Sequence, residues 1–160
     1  MSIFTVSVPA TTANLGAGFD CIGAALTLYN QVTFSPSDRL QITVTGEEAD
    51  RVSCDENNLI YQSFLKLYQH IQKTPPPVAI AIKLGVPLAR GLGSSATAII
   101  GGLVGANQMA GSPLSLSEIM EVSIAIEGHP DNVVPALIGN CQLSVGEAGN
   151  WQTCDIPWHH

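Results

Sequence analysis

A chain of 160 residues with 46% hydrophobic and only 12% charged residues is long enough for one packed domain and too apolar to remain unfolded. Its net charge of -7 rests on few charges of either sign, and its six basic residues, Arg39, Arg51, Lys66, Lys73, Lys83 and Arg90, are scattered, which excludes a basic face for nucleic acid or anionic lipid. No apolar run reaches the roughly 18 to 20 residues of a membrane span, and MSIFTVSVPATT lacks a charged segment followed by a long apolar one, so a cytoplasmic protein is expected.

Ile3 to Val8 is rich in β-branched residues and reads as a strand stopped by a turn at Pro9. Ala10 to Gly23 has neither a helical nor a strand period, yet it gathers Asn14, Asp20 and two threonines among three glycines. Loops of that kind carry ligand contacts, but Asn and Asp in glycine-rich turns also bond the local backbone, and the residues leave both roles open. Ala24 to Phe34 reads as a second strand and Leu40 to Thr45 as a third, with a turn at Pro36-Ser37-Asp38 between them. After the acidic, irregular stretch Gly46 to Asn57, the spacing of Ile60, Phe64, Leu67 and Ile71 predicts a helix with Asn57 or Asn58 as N-cap, ended by Pro75-Pro76-Pro77. Val78 to Leu84 alternates as a fourth strand.

That strand runs into Pro87-Leu88-Ala89-Arg90-Gly91-Leu92-Gly93-Ser94-Ser95-Ala96 and then into the apolar segment beginning at Thr97. Strand, glycine loop and helix in this order make an anion site: the glycines let a ligand approach the backbone, and the first N–H groups of the helix lack partners at the positive end of its dipole. Neither GxxxxGK[ST] nor GxGxxG matches. The helix from about Ser95 to Met109 contains Gly101, Gly102 and Gly105, each costing up to about 1 kcal/mol relative to Ala, which close packing against a neighbour would offset.

Gly111-Ser112-Pro113 closes that helix, and Ser115 with Glu118 forms a capping box for the next, Leu116 to Glu127, stopped at Gly128. Glu127, His129, Asp131 and Asn132 then crowd together between apolar segments. Such a cluster can supply oxygen ligands to Mg²⁺ and hydrogen bonds to a small polar substrate, or can simply cap and turn the chain around Pro130 and Pro135. Leu137 to Val145 reads as a glycine-interrupted strand, and a tail follows from about Ala148. Cys21, Cys54, Cys141 and Cys154 form no CxxC pair, and His70, His129, His159 and His160 no HExxH pattern, so a metal framework of sulfur and imidazole is not expected.

PATTANLGAGFDCIG, PLARGLGSSATA and EGHPDNVVPAL, in this order and separation, resemble the GHMP small-molecule kinases and within them the homoserine kinase branch. The resemblance implies an α+β (mixed α/β) domain, ribosomal protein S5 domain 2-like, over residues 1–147, with 148–160 beginning the connection to a second domain that has no counterpart here. It implies ATP-dependent phosphorylation of the L-homoserine side-chain hydroxyl, in threonine biosynthesis, with ATP and Mg²⁺. The backbone from Pro87 through Leu88, Ala89, Arg90, Gly91, Leu92, Gly93, Ser94, Ser95, Ala96 and Thr97 would wrap the triphosphate. Ser95, rather than Ser94, and Glu127 would hold Mg²⁺, with Glu121 the competing carboxylate. Asn14, Asp20, His129 and Asn132 would face homoserine, with Asp20 on its ammonium group. Asn58 would border the adenine pocket or cap its helix. Glu127, Asn132 and Asp131 are the candidates for the catalytic step, with Asp131 only a backup as a base, since homoserine kinases are thought to work without the catalytic aspartate of mevalonate kinases. A non-catalytic nucleotide-binding role and another small alcohol such as mevalonate are the competing functions, and a homodimer stays open.

Overall fold

A computed structural model describes residues 3–157; the expectations at His159 and His160 lie outside them. The longest strand organises the rest. β1 (Phe4–Ala13) pairs antiparallel with β2 (Ile22–Pro36), from Phe4 opposite Phe34 to Ala13 opposite Gly23. β3 (Gln41–Thr45) leads through α1 (Leu59–His70) to β4 (Val78–Lys83), which lies parallel to β3 and antiparallel to the C-terminal part of β2. A parallel pair needs such a crossover, because no short turn can return the chain in the same direction. α2 (Ser94–Met109), α3 (Leu116–Glu127) and α4 (Pro130–Ile138) follow. β5 (Cys141–Val145) then pairs with the first residues of β2, and β6 (Gln152–Ile156) pairs with β5. The sheet runs β3-β4-β2-β5-β6, with β1 on β2. The expected mixed α/β architecture is present.

The alternation Val6, Val8, Ala10 on β1 and Val32, Phe34 on β2 points one sheet face into the core, against Ile99, Ile100 and Leu103 of α2 and Val133 and Val134 of α4. Phe34 stacks between Phe4 and Phe64 at 5.6 and 5.9 Å. The helix glycines are packing residues, as expected. A Cβ on Gly102 would lie 2.2 Å from the Ile60 carbonyl oxygen, and one on Gly105 would lie 2.2 Å from the Phe34 ring. α1 therefore sits closer to α2 than side chains there would allow.

Two stretches differ from the sequence expectation. β1 does not stop at Pro9: pairing shifts between Pro9 and Thr11, and this irregularity lets the strand continue to Ala13, so the loop expected from Ala10 begins only after it. The segment after Gly128 is helical rather than a turn, and the strand expected from Leu137 begins at Cys141. Pro130 occupies the first helical position, where no N–H is needed, while Pro135 lies inside the helix and leaves the Asp131 carbonyl without its helical donor. The expected domain limit at residue 147 falls within a β-hairpin, since β6 pairs with β5 over Gln152 to Ile156.

Candidate active site

The glycine loop is held at both ends. The buried Asn30 of β2 accepts from the N–H groups of Gly85 and Val86 at 2.9 and 3.0 Å, and its amide donates to Thr97 Oγ1 of α2 at 2.9 Å. Nothing in the sequence singled out Asn30, which lies 55 residues before the loop it fixes. Further on, the Leu88 N–H donates to Glu48 Oε2 at 2.7 Å. That bond, with the nearby Arg51 and Arg90 charges, holds the Glu48 carboxyl below the usual carboxylate range.

Between these anchors Ala89, Gly91 and Gly93 have φ of 54°, 70° and 64°, left-handed at every second residue. Such alternation turns successive N–H groups toward one side, the arrangement that makes an anion-binding concavity. Gly93 is also the N-cap of α2 and supplies no side-chain cap, so the free N–H groups and dipole of the helix add to the concavity. Gly91 has open space around it. Gly93 does not: a Cβ there would lie 1.9 Å from Thr11 Oγ1 and 3.2 Å from Asn132 Oδ1.

The other motifs meet the loop at this point. Thr11, fully buried in β1, donates its N–H to the Leu92 carbonyl at 3.1 Å and its hydroxyl to Asn132 Oδ1 at 2.8 Å. Ser95 Oγ, in the first turn of α2, donates to Glu127 Oε2 at 3.0 Å from the end of α3. Gly128, at φ 97°, then turns the chain into α4, whose N-cap is His129. His129 Nδ1 lies 2.6 Å from Asp131 Oδ1, to which Asn132 Nδ2 also donates at 3.4 Å. Asp131 is only 1% exposed, while its Oδ2 has no partner. This carboxyl is a buried member of a side-chain network.

Glu121 is placed differently from Glu127. Its two carboxylate oxygens accept from the N–H groups of Gly149 and Trp151, which commits it to the β5–β6 turn. Asn14 and Asp20 both adopt left-handed backbone, φ 59° and 57°, and Asn14 Oδ1 accepts from the Asp20 N–H at 2.9 Å. Asn14 thus serves its own loop, while the Asp20 side chain is exposed. Among the described residues no hydrogen bond joins either to His129 or Asn132. Asn58 caps α1, accepting from the N–H groups of Ile60 and Tyr61 at 3.0 and 3.4 Å. It also lines a cavity of about 330 Å³ that reaches Leu88, Ser94 and Ser95. A larger groove of about 810 Å³, lined by Trp151, His70 and Glu121, shares no residue with the loop.

Residues 58–140 match the family model described as GHMP kinases N terminal domain. The chain is 74% identical over 163 residues to a homoserine kinase of Crocosphaera subtropica, covering 99% of this chain and 53% of that protein. It is 65% identical to a homoserine kinase of Trichodesmium erythraeum, with the same coverage of each. The crystal structure of homoserine kinase from Cytophaga hutchinsonii superposes with a TM-score of 0.83 at 28% identity, over 98% of this chain and 52% of that one. The chain thus spans about half the length of the curated relatives it matches.

Proposed function

This chain belongs to the GHMP kinases, and from that footing we propose that it forms the nucleotide- and acceptor-binding half of a kinase that phosphorylates the side-chain hydroxyl of L-homoserine. In the reaction the hydroxyl oxygen forms a bond to the γ-phosphorus of ATP, the bond to the β–γ bridging oxygen breaks, ADP leaves, and the hydroxyl proton is released. One observation carries the reading: at a left-handed backbone concavity, Ser95 meets Glu127 and Thr11 meets Asn132, joining three segments distant in the chain.

Phosphoryl transfer needs positioning and charge neutralisation more than covalent help from the protein. The N–H groups of the loop and of the start of α2 would cradle the phosphates in place of a lysine. Ser95 Oγ and Glu127 Oε2, 3.0 Å apart, are oxygen donors of the kind Mg²⁺ takes alongside phosphates and water. Bound there, Mg²⁺ would neutralise charge on the transferring phosphoryl group. Asn14, Asp20, His129 and Asn132 would form the acceptor side, with Asp20 meeting the substrate ammonium. The base of the nucleotide would enter the cavity beside Asn58. Without a general base the proton would leave to solvent or phosphate, and Asp131 is the backup candidate to take it.

The test is direct: the purified chain is incubated with MgATP and L-homoserine, and ADP and O-phospho-L-homoserine are measured. ATP binding without either product identifies a non-catalytic nucleotide-binding domain. Preferential phosphorylation of mevalonate reassigns the acceptor.

A further inference from the structure

We propose that Thr11 is a positioning residue that sets the Asn132 carboxamide in register with the phosphate loop. Its two polar groups act in different directions. The backbone N–H holds the loop through the Leu92 carbonyl at 3.1 Å, while the hydroxyl holds Asn132 Oδ1 at 2.8 Å. Asn132 turns its other end, the –NH₂ group, to Asp131 Oδ1, which is bonded to His129 Nδ1. The carboxamide is thereby gripped from both sides. The Thr11 side chain is fully buried, so no water replaces its hydroxyl when it is removed. Gly93 leaves room for this hydroxyl, since a Cβ there would lie only 1.9 Å from it. One buried threonine therefore fixes the distance between the backbone that would hold the donor phosphates and the amide that would face the acceptor. The assignment rests on Asn132 facing the acceptor, as proposed above.

Thr11→Val removes the hydroxyl and keeps both the side-chain outline and the N–H to Leu92, whereas Thr11→Ser keeps both bonds. Binding of L-homoserine and of a non-hydrolysable ATP analogue is measured by calorimetry on the wild-type chain and both variants. Thr11→Val should weaken L-homoserine binding by about tenfold and ATP-analogue binding by less than about twofold, with Thr11→Ser close to wild type. Equal loss of both ligands, unchanged homoserine binding, or a serine variant behaving like valine overturns the assignment. Should the wild-type chain bind the analogue but not L-homoserine, the proposed acceptor fails. Thr11 is then judged by a double-mutant cycle with Asn132→Ala in urea unfolding. Coupling of about threefold or more in the unfolding constant sustains the link, and additivity overturns it.

Discussion

Replacing Gly93 by alanine separates two reasons for glycine that coincide at one residue. The first is conformational: at φ 64° an L side chain costs about 1–2 kcal/mol. The second is spatial, because the new methyl would lie 1.9 Å from Thr11 Oγ1 and must displace β1 or the loop; overpacking of this kind costs about 1–3 kcal/mol. Together they predict a loss of about 2–5 kcal/mol for Gly93→Ala. Gly91 is the internal control, with a similar φ of 70° and nothing within 4 Å of an added Cβ, so Gly91→Ala should show only the conformational part, about 1–2 kcal/mol. Urea unfolding at constant m-value gives both numbers. Introducing Thr11→Ala beside Gly93→Ala removes the colliding oxygen and should recover much of the difference. Equal losses for the two glycine variants, or no recovery with Thr11→Ala, would refute the proposed fit between loop and strand.

Glu127→Gln should abolish the tightening of ATP-analogue binding by Mg²⁺, whereas Glu121→Gln should retain it, as read by fluorescence titration with and without the metal. Gly105→Ala should lower stability by about 1–3 kcal/mol, seen as a fall in Tm, because Phe34 is stacked on both faces and cannot swing away from the new methyl. Glu48 carries a pH signature: its folded pKa lies below the ordinary value, so its contribution is full above that value and disappears as pH falls through the folded pKa. Glu48→Gln should therefore lower Tm at pH 7 and flatten its fall below about pH 5, so that the variant and the wild type converge in acid.

Local chemistry made part of this legible. The order of β4, glycine loop and α2 could be read because strand alternation, Gly91 and Gly93 are all short-range signals. The reciprocal Ser115 and Glu118 cap was equally plain from spacing and is present with both bonds. Where the reading went astray, prolines were responsible. Pro9 normally ends a strand, but the shift in pairing beside it absorbs the missing donor. Pro130 and Pro135 resembled turn punctuation, although the first is favourable at a helix start and the second spoils only one helical bond. The contacts of Thr11 and Asn30 were illegible for another reason. Their partners lie 121 and 55 residues away, and no periodicity connects a buried polar side chain to so distant a bond.

The double use of β2 also has a consequence in time. Its C-terminal part finds β4 once Lys83 has been made, but its first residues, Ile22 to Ala24, wait for Cys141 to Leu143, about sixty residues later. At ribosomal rates of about 5–20 residues per second the delay is roughly 3–12 s. Throughout it, that stretch of the central strand offers an unpaired edge to any neighbouring chain. Asn132 and Glu127 emerge within the same interval, so the nascent protein gains its candidate site only as this vulnerable period closes.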